Sequence, residues 1–148
     1  MKNIILTITA LCFVCGMAQA AKFNQDNPLV AVVHVGSPSA DALVPAFASS
    51  KRITITRVAL LNGAAVAASD TDYLKLELKV GGTIVAELDS RAAHENALAQ
   101  NAIEALNLVS GQENQAANAV FTVNYDETDS GTAVALTNAQ VLVEYYTR

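Results

Sequence analysis

The sequence predicts an all-β chain: a single antiparallel β-sandwich, jelly-roll-like, of about eight short strands. Three observations carry that expectation. Tyr73-Leu74-Lys75-Leu76-Glu77-Leu78-Lys79-Val80 alternates polar and apolar residues, which at two residues per repeat puts Leu74, Leu76, Leu78 and Val80 on one buried face. Short runs rich in Val, Ile, Leu and aromatic residues recur along the chain between clusters of Gly, Pro, Asn, Asp and Ser, without a long helical pattern. At the C-terminal end, Val134 to Leu136 and Ala139 to Tyr146 read as a closing hairpin. A two-residue Thr137-Asn138 loop there sets Leu136 opposite Ala139 and Val134 opposite Val141.

The chain opens Met1-Lys2-Asn3, continues with an apolar run from Ile4 to Gly16 and reaches Ala18-Gln19-Ala20 before Ala21. One early positive charge, an apolar run shorter than the roughly 20 residues of a membrane-spanning helix, and small residues at both A-x-A positions make a secretory signal peptide with cleavage after Ala20. The alternative is an uncleaved anchor or a buried N-terminal helix. A lipoprotein is disfavoured, because Leu11 and Val14 rather than small residues precede Cys12 and Cys15. The expected organisation is a signal peptide over residues 1–20, an N-terminal arm over 21–28 and one β-sandwich domain over 29–148, secreted to the extracellular space or carried on a virion surface. Both cysteines fall inside the leader, so the exported domain is held by packing and hydrogen bonds, and redox and thiolate-metal chemistry are excluded. Its length suits one domain with a core that needs no staples. The formal net charge of −5, more negative still once Lys2 is lost, speaks against nucleic acid as a partner, as does the lack of a basic cluster beyond Lys51-Arg52 and Arg57.

Leu29 to Val35 reads as the first strand, and His34 within it as a surface or satisfied residue, since nothing nearby completes a metal set. Gly36 to Ala42 is a loop, and Leu43 to Phe47 a short edge strand, where Pro45 fits better than at a sheet centre. In Ile53 to Leu61 the alternation changes phase. Either a bulge near Thr56-Arg57 keeps Ile53, Ile55, Val58 and Leu60 inside, or the strand is partly buried on both faces. Asn62-Gly63 looks like a hairpin turn, but Ala64 to Asp72 is Ala-rich and polar, so a longer connection is expected.

The Gly81-Gly82 reversal leads into Thr83 to Leu88. A plain two-residue loop would drive Glu87 inward, whereas one extra residue sets Val80 opposite Ile84, Leu78 opposite Ala86 and Leu76 opposite Leu88. A Gly-Gly turn followed by a bulge is preferred to a three-residue loop, because β-branched Thr83 suits a left-handed position poorly. Arg91 to Gln100 is read as a loop or one helical turn and Ile103 to Val109 as a strand, although Leu98, Ala102, Ala105, Leu106 and Val109 also fit a helical face. Ala119, Phe121, Val123 and Tyr125 alternate inward, and an acidic turn from Asp126 to Gly131 leads to the closing hairpin.

No catalytic, cofactor-binding or metal residue is assigned. With two histidines, no cysteine in the exported domain and neither Gly-x-Ser-x-Gly nor His-Glu-x-x-His spacing, the chain reads as a non-enzyme without a cofactor. Asp126, Glu127 and Asp129, and separately Asp70 and Asp72, lie in acidic loops whose oxygens suit Ca²⁺. Neither loop has the glycine and distant glutamate of an EF-hand, and Asp, Ser and Thr are ordinary turn formers. A sugar-binding platform needs exposed aromatic rings; there is no Trp, and Tyr125 and Tyr145 are expected inside, which leaves Tyr73 and Tyr146.

The runs ITITRVALLNGAAVAASDTDYLKLELKVGGTIVAEL, Ile53 to Leu88, and FTVNYDETDSGTAVALTNAQVLVEY, Phe121 to Tyr145, resemble small β-sandwich virion structural proteins of tailed bacteriophages, of the head-decoration or fibre type. In that group an opening strand leads into a loop like Asn62-Gly63-Ala64-Ala65, and the chain ends in an acidic Gly-Thr turn and a last hairpin. The resemblance covers about two thirds of the exported chain and implies a structural role in a virion or surface fibre, with no functional residue to carry over. The leader departs from the group, whose members mostly assemble in the cytoplasm, and favours an exported surface subunit or a membrane-associated virus. Expected partners are further copies of the chain or a larger assembly. The alternatives are a secreted adhesin or carbohydrate-binding module with a glycan or cell-surface receptor, and a pilin-like subunit in which Leu29 to Val35 is donated to a neighbour. An outer-membrane barrel is disfavoured by short strands and few aromatics. The intact mass of protein from its native source checks the leader: the expected value lacks Met1 to Ala20, and a mass that retains them rules out processing.

Overall fold

Period-two patterning becomes nine β-strands, with no helix among the described residues, which are 27–91, 97–128 and 134–148 of the computed structural model. In chain order these are β1 (Leu29–Gly36), β2 (Ala42–Ser49), β3 (Ile53–Leu61), β4 (Tyr73–Val80), β5 (Thr83–Asp89), β6 (Ile103–Leu108), β7 (Asn114–Gln115), β8 (Ala119–Thr128) and β9 (Ala139–Thr147). All ladders are antiparallel, in one sheet of order β1-β9-β3-β6-β5-β4-β8-β2, with the two-residue β7 paired to the start of β3. The expected signal peptide and nearly all of the arm, and residues 92–96 and 129–133, lie outside the described residues.

The long strands bury mainly one face, with Ala59 of β3 also covered on the other, so the sheet has to curl. Strand β6 brings this about by changing partner along its length: Ile103 to Leu106 pair with β3, Asn107 and Leu108 with β5. The end strands β1 and β2 come into contact without pairing, and the sheet nearly closes into a barrel-like shape around one core. Ile53, Ile55, Val58 and Leu60 of β3 enter it, with Leu74, Leu76 and Leu78 of β4, Phe121, Val123 and Tyr125 of β8, and Val141 and Val143 of β9. All of these are at most 1% exposed. Near the unpaired seam Phe47 of β2 stacks on Phe121, with ring centres 4.4 Å apart, and on Tyr145 of β9 at 5.7 Å, so aromatic packing joins what the ladder does not.

The phase change in β3 is a bulge: the register with β9 slips between Ile55 and Arg57, Thr56 turns outward, and all four anticipated residues are buried. β2 is an end strand paired to β8 alone, and its register breaks between Pro45 and Ala48. At the β4–β5 hairpin, Leu76 faces Leu88 and Leu78 faces Ala86 as anticipated, but Val80 faces Thr83 rather than Ile84. The turn is a plain two-residue one, with Gly81 and Gly82 both at positive φ (55° and 92°), the requirement of a type I′ turn. The extra residue is Val85, deeper in β5, where Val85 and Ala86 are both buried.

The expected closing hairpin is absent. Val134 to Leu136 form no strand, and β9 pairs with β1 and β3 instead. Leu136 is buried nonetheless: its side chain belongs to the core cluster, and its N–H donates to the Pro38 carbonyl at 3.2 Å. Asn62-Gly63 is likewise no hairpin turn. It opens the long connection to β4, within which Val66 forms a single bridge to Leu98.

Antiparallel pairing gathers the connections at two ends of the molecule. One end carries the start of β1, the β2–β3 turn with Lys51 and Arg52, the Gly81-Gly82 turn, the segment around β7, and Arg148. The other carries Asp41, the β3–β4 connection with Asp70 and Asp72, the end of β8 and the Val134–Asn138 segment. The facing pattern predicts that Leu76→Ala or Phe121→Ala lowers stability by about 2–5 kcal/mol. Lys75→Ala, on the opposite face of β4, should cost under about 0.5 kcal/mol. Equal losses in denaturant unfolding would contradict the assigned faces.

Candidate functional surfaces

The residues that the sequence marked for chemistry do not converge. His34 is exposed on β1, opposite Gln140, and His94 lies outside the described residues. Among the described residues no three of His, Cys, Asp and Glu are grouped to hold a metal; Asp129, one of the calcium candidates, lies outside them. Asp70 and Asp72 sit in a turn organised by the Ser69 hydroxyl, which accepts the N–H groups of Thr71 and Asp72 at 3.3 and 3.1 Å. Of the two aromatic candidates, Tyr73 lies under the Arg91 guanidinium, 5.3 Å from its ring centre. Tyr146 stands opposite Thr54 and is half-buried.

Asp126 is exposed, while Glu127 belongs to a network that fixes the end of β8. The Asp41 carboxylate accepts the Glu127 N–H at 2.9 Å, the Glu127 carboxylate accepts the Val134 N–H, and the buried Tyr125 hydroxyl donates to the Val134 carbonyl. Burial, then the charges of Glu127 and Asp41, push the Tyr125 phenol up to about 12. This arrangement anchors a loop and disfavours ionisation, the reverse of what a nucleophile or base requires.

Two buried polar residues that sequence reasoning passed over have similar roles. The Asn62 side chain donates to the Ala64 carbonyl at 2.6 Å and accepts the Thr137 N–H at 2.7 Å, while its main-chain carbonyl accepts the Asn101 N–H at 2.8 Å. Ser90 accepts the Leu74 N–H at 3.0 Å through its hydroxyl. The only hint in the sequence was a polar residue beside an apolar run. On β4, burial works to raise the Glu77 carboxyl, but hydrogen bonds from Lys79 and Asn124 and the charges of Lys79 and Lys75 outweigh it and hold the group below its ordinary value. No buried side-chain nitrogen or oxygen among the described residues lacks a partner.

The distinctive features are surfaces. On the outer face, Val32, Leu142, Ala59 and Ala105 form a lateral row across β1, β9, β3 and β6, with Leu61 and Ile103 paired beside it. Val32 is 48% and Ile103 55% exposed. The row ends at β1, a strand without proline or charge whose Val30 is also exposed, whereas β2, the other end strand, carries Pro45 and an irregular register. β1, anticipated as a strand for donation to a neighbour, pairs with β9 of its own chain.

A raised tyrosine pKa keeps stability intact below pH 10 and removes it as pH rises through about 12, because the unfolded chain ionises first. Roughly 2 kcal/mol should be lost over that window in the wild type and not in Tyr125→Phe, as read by unfolding at stepped alkaline pH. Parallel pH profiles would refute the assignment. Compared with family models, curated proteins and solved structures, the chain gives no significant match.

Proposed function

We propose that the protein is an exported, non-enzymatic structural subunit that acts by self-association or by docking to a larger particle or fibre, in a virion or on a cell surface. The observation that carries this reading is the β1 edge: eight residues without proline or charge, at the end of the sheet, continuing an apolar outer row. β2 touches this edge without pairing with it, so its main-chain groups remain a template for another strand, and main-chain hydrogen bonds join two copies without any special residue type. Antiparallel addition of β1 to β1 of a second copy extends the outer row across the junction through Val32.

The strand order supports the finer reading of the fold as a jelly-roll sandwich. With β7 set aside, one flank runs β1-β9-β3-β6 and the other β2-β8-β4-β5, the arrangement of two interlocked Greek keys. That architecture serves viral capsid and lectin domains, an analogy at the level of fold that agrees with the resemblance to bacteriophage virion proteins. It also keeps an adhesin or carbohydrate-binding module as the second reading, with Tyr146 the aromatic side chain still open to a sugar.

Size-exclusion chromatography with light scattering and electron microscopy of residues 21–148 test the proposal. The expected result is an oligomer or fibre that Val32→Lys weakens at least about tenfold, since an outward lysine blocks edge addition without entering the core. A strict monomer that binds a glycan would replace this reading with the second.

A further inference from the structure

The two ends of the molecule carry opposite charge. At one end Lys51 and Arg52 occupy the β2–β3 turn, and the main-chain N–H of Arg148 donates to the Arg52 carbonyl at 2.8 Å, which brings the two arginines to one rim. Among the described residues the acid at that end is Glu113, whose carbonyl accepts the Ile55 N–H at 2.8 Å. Arg57 pairs with Glu144, Lys79 with Glu77 and Arg91 with Asp89, and Lys51, Arg52 and Arg148 belong to none of these ion pairs. At the opposite end Asp41, Asp70, Asp72, Asp89, Asp126 and Glu127 gather, and among the described residues they outnumber the cations there, Arg91 and Lys75, the latter opposite Asp126 and Asp89.

Each end also bears a shallow depression. The first, about 290 Å³, is lined by Arg52, Arg148, Ile53 and the side chains of Asn114 and Gln115. The second, about 330 Å³, is lined by Val66, Ala67, Ser69, Asp72 and Val134. A cationic, amide-rimmed depression and one rimmed by carboxylate and hydroxyl, at opposite ends of a single chain, complement each other in sign.

We propose that a second copy of this chain docks head to tail, with its Asp70 and Asp72 end against the Arg52 and Arg148 end of the first. The inference rests on the subunit reading above but uses the two ends of the molecule rather than the main-chain edge of β1. Because the two surfaces differ, the contact is heterologous, and each added copy exposes a fresh end; repetition builds a filament along the strand direction, or a ring where rotation closes it. Charge complementarity fixes the polarity of stacking, since like ends repel. Edge addition through β1 then joins such stacks sideways, so the two contacts act along different directions.

Two charge-reversed proteins test this: Arg52→Glu with Arg148→Glu, and Asp70→Lys and Asp126→Lys with Thr71→Lys and Thr128→Lys, all at exposed positions. Each reversed protein alone has two ends of one sign and should associate at least about tenfold more weakly than wild type, whereas an equimolar mixture of the two restores assembly by alternation. Restoration on mixing separates a lost interface from a lost fold, and circular dichroism of each protein alone checks the latter. Association of wild type should weaken roughly tenfold or more between about 0.02 M and about 0.3 M salt, as screening shortens the reach of the charges. Undiminished assembly of either reversed protein overturns the head-to-tail contact while leaving the subunit reading in place. A wild-type chain that stays monomeric at low salt, with no complex on mixing, overturns both.

Discussion

Strand β6 pairs with two different strands, and the rest of the architecture depends on that exchange. Ile103 to Leu106 continue the β1-β9-β3 flank and Asn107 and Leu108 continue the β5-β4-β8-β2 flank, so main-chain hydrogen bonds run from one to the other. Without this join the flanks would meet only through side chains, as they do at the opposite seam where Phe47 lies between Phe121 and Tyr145. The described residues include no cysteine to cross-link the two flanks, and the shared strand keeps them in register through main-chain geometry.

Local patterning was a good guide wherever the answer lay within a single strand. Alternation in β4 placed Leu74, Leu76 and Leu78 inside, Pro45 marked β2 as an end strand, and the phase change in β3, which allowed either a bulge near Thr56-Arg57 or burial on both faces, is a bulge at Thr56 with Ala59 also buried. It failed where a residue's apolar character is satisfied by something far away in sequence. Val134 and Leu136 alternate as a strand would, yet Leu136 enters the core from a segment outside any strand, and β9 finds its partners in β1 and β3, about a hundred residues upstream. At the β4–β5 hairpin the preferred Gly-Gly turn followed by a bulge is present, and only the rung of the bulge differs. The extra residue needed to keep apolar faces together was inferred correctly, but a bulge is free to sit at any rung, and it sits at Val85, away from the glycines.

The candidate surfaces were less legible, because both are products of assembly within the fold. Val32, Leu142, Ala59 and Ala105 come from four strands scattered through the chain, and each alone is an unremarkable small or branched residue. The charged ends depend on strand direction: Arg52 and Arg148 meet because β3 begins where β9 finishes. The polar residues that matter most to order, Asn62, Ser90 and Tyr125, hold loops in place and leave the sequence with no pattern beyond an isolated polar or aromatic position.

The placement of β1 beside β9 bears on how the domain withstands pulling. Leu29 and Tyr145 face each other, so the first and last strands reach the same end of the molecule, side by side and in opposite directions. A tensile load applied through those two points acts across the ladder and opens it one rung at a time, whereas a load borne through the body of the sheet must shear many rungs together. Force carried through the folded surfaces of this domain therefore meets more resistance than force from a tether that hangs from both strands at once.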